Sequence, residues 1–379
     1  MMDLSVGVKI YDNDWFLKHG MGIEQAADLL ASMGITYVIT QSRYLPMQDT
    51  AVESAVRGHD RARYAEQDDL AFRNALRDRG ISYFGCLNIC FDPAYTRQHP
   101  DLLPIDQHGN RAVQEDWYVG MAPDREENLA HKIGLLETAV RELQPEGIHL
   151  GFIRWPGFWE TWLPDTPRAS RPHYSYAPDT LRRFRDDTGA DVPIDQPVQA
   201  AARIASHYRE AWRDWKCGVT VSAIGRIRNA VRAIKGDTEI AINTLPFFRS
   251  DFDDAVTEVF GQDVSRLDAV VDVFEVMAYH QILRRDSAWP ARIASDIKQR
   301  GKARAICTLQ AKAIYLDGMH TGHGRAHDLG AEEFSDAVGR LETSPVDGVC
   351  VFTLSQLIER SETADGKAMI ARLKNFRRG

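Results

Sequence analysis

The sequence predicts an α/β fold, a (β/α)8 TIM barrel, on three observations. Short apolar runs rich in β-branched residues recur eight times, at 4–10, 34–41, 81–89, 147–154, 239–245, 269–277, 303–310 and 348–355. Segments with helical periodicity lie between many of them. The runs are near-continuously apolar instead of alternating, as strands of a parallel sheet covered on its outer face read. Eight strand–helix units close such a sheet on itself.

The elements follow in order. IEQAADLLASM follows the first run, DLAFRNALRDR the second and NLAHKIGLLETAVREL the third, each with apolar residues three and four apart. Helical segments at 208–235, 288–300 and 331–342 precede the fifth, seventh and eighth runs, and 367–376 closes the chain. The stretch 200–235 is longer than one barrel helix requires. Two helices broken near Cys217 and Gly218 are expected there, with Tyr208, Trp212 and Trp215 packing on the barrel's outer layer.

A minimal barrel takes about 250 residues, and this chain has 379. The surplus falls at 42–67, 90–126 and 155–197. These long βα loops after strands 2, 3 and 4 all follow strand C-termini, the face on which barrel enzymes build their sites. No Gly/Ser linker or low-complexity tract interrupts the chain, so 1–379 reads as a single domain.

Hydrophobic residues make up 44% of the chain, and 54 acids against 46 Lys plus Arg give a formal charge of −8, which leaves no basic footprint for nucleic acid. No run approaches the roughly 20 apolar residues of a membrane helix, and MMDLSVGVKIYDND does not read as a secretory segment. A cytoplasmic protein with no membrane partner is expected. The five cysteines (Cys86, Cys90, Cys217, Cys307, Cys350) are few and odd in number, and they read as reduced core thiols. There is no G-x-G-x-x-G opening a helix, no P-loop, no G-x-S-x-G and no H-E-x-x-H, so no cofactor or metal is expected. Oligomeric state is left open.

Each run ends near a polar side chain: Lys9, Gln41, Asn88, Arg154, Asn243, Glu275, Gln310 and Thr353. Burying such groups against the helices would cost about 1 to 3 kcal/mol each when unpaired. They are therefore expected to meet in the barrel mouth, as a site or as a hydrogen-bonded plug that closes it. Glu275 is the sharpest member, with Arg154 and Lys9 as its available cations; close pairing would lower its pKa and a dry pocket would raise it. In RWPGFWETW, Glu160 stands among Trp155, Trp159 and Trp162, and Trp15 and Trp117 fall on the same face. Aromatic rings beside a carboxylate suit a sugar, or they form a mini-core under long loops. Tyr11, Tyr279 and His280 complete the candidate binding residues, with Asp12 a reserve carboxylate. His320, His323 and His327 lie in a Gly-rich loop better suited to covering a substrate than to holding a metal.

The segments WYVGMAPDREENL (117–129), EGIHLGFIRWPGFWE (146–160), the Gly-Gln-Asp lead-in with DVFEVMAYH (261–280) and DGVCVFTLSQL (347–357) resemble the bacterial glycoside-hydrolase-like barrel proteins, many of them glycosidases of unassigned substrate. The resemblance implies a β/α barrel acting on carbohydrate with acidic residues at strand ends. In that family the fourth-strand motif reads G-I-H-x-D-x-I-R-x-P. This chain has Gly151 where the family has its acid, while Arg154 and Pro156 carry over as site-shaping residues. The acid's role would pass to Glu160 or Glu275, the latter standing where the family more often has a small residue. Gly151 is expected to leave room for part of a ligand.

The reading is a glycoside hydrolase for a small oligosaccharide or glycoside, using two carboxylates, Glu275 and Glu160, at the C-terminal face. Two alternatives stand beside it: a metal-dependent sugar isomerase, epimerase or lyase, and a non-catalytic carbohydrate-binding barrel.

Overall fold

The computed structural model describes residues 2–11, 13–45, 64, 66–312 and 329–377. Eight parallel strands pair in sequence order: β1 (Val6–Ile10), β2 (Tyr37–Thr40), β3 (Ser82–Asn88), β4 (Gly147–Gly151), β5 (Glu239–Thr244), β6 (Val273–Met277), β7 (Arg304–Gln310) and β8 (Gly348–Phe352). The sheet closes where β8 meets β1, with Val6 opposite Val349 and Lys9 opposite Phe352. Each expected run contains one of these strands.

Side-chain parity divides the strands into two packed layers. Outward residues such as Val6, Val8 and Ile10 of β1 and Val349 and Val351 of β8 join the large cluster formed with the helices. Inward residues, among them Tyr37, Phe84, Ala241, Val273 and Ile306, form a separate cluster inside the barrel. Its rings fit because glycine faces them. A Cβ on Gly7 would come within 2.0 Å of the Tyr37 ring, and one on Gly147 within 2.2 Å of Phe84.

The expected helices appear at Ile23–Ser32, Asp69–Asp78, Glu126–Leu143, Trp289–Gln299, Ala331–Glu342 and Ala364–Lys374. The segment 200–235 departs from expectation. It holds the end of Pro197–Arg203, a π-helical turn at Ile204–Tyr208, and one unbroken helix, Arg209–Ile234, that passes through Cys217 and Gly218. Gly218 does not break it because that helix buries Trp212, Cys217, Ile224, Ile227 and Val231 along its length, and tertiary burial outweighs the roughly 1 kcal/mol propensity cost of glycine. The discontinuity falls earlier, at the π turn. Trp212, with Tyr208 and Trp215 against it, packs on Tyr176, Leu181 and Phe184 of the insertion after β4, as a satellite core.

The insertion after β3 carries a short helix, Pro93–Gln98, and antiparallel bridges Phe91–Gly120, Ile105–Arg111 and Glu115–Tyr118. That after β4 carries 3-10 turns at Trp159–Thr161 and Arg168–Ser170 and the helix Pro178–Thr188. Most of the insertion after β2 lies outside the described residues, as do Asp12, His320, His323 and His327. Among the described residues no helix is long and apolar enough to cross a membrane.

Candidate functional site

The inward parity of β1, β3, β4, β6 and β7 carries a polar layer into the middle of the barrel. Glu275, in the centre of β6, is 0% exposed. One carboxylate oxygen accepts from Lys9 Nζ at 2.8 Å and from Thr308 Oγ1 at 2.5 Å. The other lies 2.6 Å from His149 Nε2, and His149 Nδ1 is 3.3 Å from Cys86 Sγ. Burial pushes the Glu275 carboxyl up, but Lys9 and His149 outweigh it and hold the group at about 2. Burial pulls His149 down, while Cys86 and Glu275 raise it to about 9.

This corrects two expectations. Glu275 does not reach the barrel mouth, and of its two expected cations Lys9 pairs with it while His149 takes the place expected for Arg154. The plug reading describes this layer, because a carboxylate two residues below its strand end needs its charge matched inside the barrel. Lys9, committed to that pair, is likewise 4% exposed and unavailable to a ligand above it. His149 and Thr308 were missed by sequence reasoning. Their shared inward parity with Gly147 and Gly151, and with Gln310, was the available signal.

Above the plug, the ring of strand ends is built from amides and aromatics. Asn88 closes β3, and its Oδ1 stands 2.3 Å from where a Cβ on Gly151 would be. Gly151 therefore leaves no room for a ligand; the Asn88 amide fills the place where a side chain at residue 151 would begin. Asn243 on β5 accepts from the Phe152 backbone N–H at 3.2 Å and reaches Met277 Sδ at 3.3 Å. Gln310 on β7 donates to Lys312 O at 3.3 Å, and its buried Oε1 has no partner among the described residues. Gln41, just past β2, is buried among them. Thr353 does not join the ring: its side chain caps the helix Leu354–Arg360, and the aromatic Phe352 closes β8 instead.

Two groups of rings stand at opposite arcs of this mouth. Half-buried Tyr11 meets Phe352 edge-on at 5.2 Å, and Tyr279 lies 5.4 Å from Phe352. Across the barrel, half-buried Trp117 packs edge-on to Phe91, Phe152 and Phe158. The other tryptophans are mini-core. Trp155 turns outward, donating to Lys216 O at 3.1 Å and packing on Trp215. Trp159 and Trp162 are buried against Phe247, and Trp15 stacks on Phe72 at 4.4 Å. Trp155 and Trp159 are thus corrected from ligand-binding to packing roles. His280 is also occupied: its Nε2 meets Glu333 Oε1 at 2.9 Å, anchoring the start of the helix Ala331–Glu342, while its buried Nδ1 has no partner among the described residues.

Beyond β4 the chain turns sharply at Phe152, which takes a φ of +54°. The turn carries Arg154 back over the Phe152 ring, guanidinium carbon 4.8 Å from its centroid. Arg154 is 1% exposed, and none of its three guanidinium nitrogens has a hydrogen-bond partner among the described residues. Glu160 follows on the Trp159–Thr161 turn, 4% exposed. Burial pushes its carboxyl up to about 7, against the opposing pull of Arg154. Among the described residues no group of three His, Cys, Asp or Glu side chains is placed to hold a metal ion.

No protein-family model and no curated protein sequence matches the chain. Solved structures do share its fold. One is the PgaB (BpsB) glycoside hydrolase domain from Bordetella bronchiseptica, at 14% identity and TM-score 0.67 over 99% of both chains. Another is the α-L-fucosidase isoenzyme 2 from Paenibacillus thiaminolyticus, at 13% identity and TM-score 0.58 over 99% of this chain and 49% of that one. A third is the β-galactosidase from the psychrophilic Marinomonas ef1, at 11% identity and TM-score 0.61 over 92% of this chain and 54% of that one. The chain spans about half the length of the latter two. At such identity the likeness defines the barrel class.

Proposed function

We propose that the protein is a glycoside hydrolase that binds a small saccharide at the C-terminal mouth of the barrel, with Glu160 as its general acid. One observation carries the reading: Glu160 is a carboxyl on the face where barrel enzymes work, held protonated up to about pH 7 by burial. An acid must keep its proton near working pH to pass it to a departing glycosidic oxygen. Half-buried Tyr11 and Trp117 offer ring faces to the sugar's C–H surface, and the amides of Gln41, Asn88, Asn243 and Gln310 offer donors and acceptors to its hydroxyls. The second carboxylate proposed is Asp12, which follows Tyr11 in sequence. Glu275 is withdrawn from the pair because three side chains already hold it. The fold neighbours named glycoside hydrolase, fucosidase and β-galactosidase support this class of substrate.

The absence of a carboxylate at the described strand ends, with Asn88 over Gly151, favours a second reading, a carbohydrate-binding barrel without turnover. Titrating a glycoside panel while following both Trp fluorescence and released sugar separates the two. Hydrolysis abolished in Glu160→Gln with binding retained supports the enzyme. Binding without product, unchanged in Glu160→Gln, supports the silent barrel.

A further inference from the structure

Away from the strand ends, the two insertions after β3 and β4 meet the Pro197–Arg203 helix and the π turn around a cavity of about 390 Å³, large enough for a monosaccharide-sized ligand. The chain is acidic overall, with a formal charge of −8. Yet among the described residues no Asp or Glu lines this cavity, while Arg168, Arg171 and His173 do.

Arg171 is the group that asks for a ligand. It is half-buried in the wall and donates through one terminal nitrogen to the Thr161 carbonyl, and its buried Nε has no hydrogen-bond partner among the described residues. No ion pair to Arg171 forms among the described residues. Other arginines around the cavity are matched: Arg168 and Arg209 share Asp253 and Glu258. The Glu115 carboxylate acts on Arg171 only from beyond ion-pair distance, and a guanidinium partly withdrawn from water without an ion pair has lost hydration that an incoming oxyanion would replace, through charge-assisted hydrogen bonds. Arg171 also faces an adjoining open groove, whose one acid among the described residues, Asp106, is tied to the backbone N–H groups of His108 and Asn110.

The rest of the wall is built for a body with an apolar face. Val198, 54% exposed, and Ala201, Ala202 and Ala205 share the lining with the buried rings of Trp162 and Tyr176. His173 is held from behind by Lys216, whose Nζ lies 2.8 Å from its Nε2 and 2.6 Å from Val259 O. That network fixes the His173 ring in the wall.

We propose that this cavity is a second binding site, separate from the barrel mouth, for a ring-sized oxyanion such as a sugar acid, with Arg171 receiving the anionic group and the alanine–valine wall receiving the ring. Calorimetric titration with glucuronate, glucose 6-phosphate and glucose tests it on the full chain. At least one of the two acids binds, weakens tenfold or more in Arg171→Met, and is lost in Ala205→Phe, which fills the cavity from its exposed side with the charge intact. Which acid binds separates a carboxylate ligand from a phosphate. Glu160→Gln leaves that affinity unchanged, so failure of the mouth reading and failure of this one are distinguishable. Neither acid binding, or either binding equally well to wild type, Arg171→Met and Ala205→Phe, overturns the proposal.

Discussion

At the scale of single residues, the same element chemistry sends two carboxylates to opposite uses. Glu275 is buried with cations and stays ionised; Glu160 forms no ion pair among the described residues, and its burial outweighs the pull of Arg154, so it keeps its proton. For Glu275 the folded pKa of about 2 lies below the ordinary 4.5. Its stabilisation is therefore complete above pH 4.5 and drains away as pH falls toward 2. Glu275→Gln leaves Lys9 buried without a counter-charge and should cost about 3 to 5 kcal/mol in urea unfolding at pH 7, whereas Lys9→Met with Glu275→Leu recovers most of that loss. A loss no larger in the single variant than in the double would contradict the ion-pair account. Glu160 has the reverse sign: its folded pKa of about 7 exceeds the ordinary 4.5, so the folded state holds a proton that the unfolded state releases, and stability falls as pH rises from 4.5 through 7. Glu160→Gln should raise the unfolding temperature at pH 8 and change it little at pH 4.5. Equal shifts at both pH values would mean that burial does not hold the proton.

At the scale of elements, packing decides where propensity leaves a choice. Gly7 on β1 has no free volume above it, since a methyl would enter the Tyr37 ring. Gly7→Ala is expected to destabilise by roughly 1 to 3 kcal/mol or more through overpacking. Gly218 is different, although it too sits inside a regular element. A Cβ there would meet only the flexible end of Arg266 at 3.3 Å, so Gly218→Ala should be neutral or stabilising by up to about 1 kcal/mol. Thermal unfolding of the two variants checks both statements, and similar losses in each would show that residue 218 is as crowded as residue 7.

At the scale of the whole molecule, the eight strands were legible because each apolar run has one job, filling the space between barrel interior and helices. The helices were legible because each has one apolar face. The site was less so. Parity identified Glu275 as inward, but not how deep it sits, because strand ends are set by backbone events such as the left-handed turn at Phe152. Nor could sequence choose its partners: Arg154, three residues past the end of β4, is nearer in motif, while Lys9 and His149 meet Glu275 only when β1, β4 and β6 surround one interior. The tryptophans misled for a related reason, since long loops need cores of their own. Asn88 over Gly151 is a cross-strand contact that no single segment encodes.

Hydrolysis of aryl glycosides with graded leaving groups, by wild type and Glu160→Gln across pH 5 to 9, tests the catalytic assignment most directly. Wild-type rates should fall above about pH 7, and the variant should lose on the order of 10²- to 10⁴-fold on poor leaving groups but little on dinitrophenolate, which needs no proton. A variant that cleaves poor leaving groups as fast as wild type, with the same pH profile, would contradict the role given to Glu160.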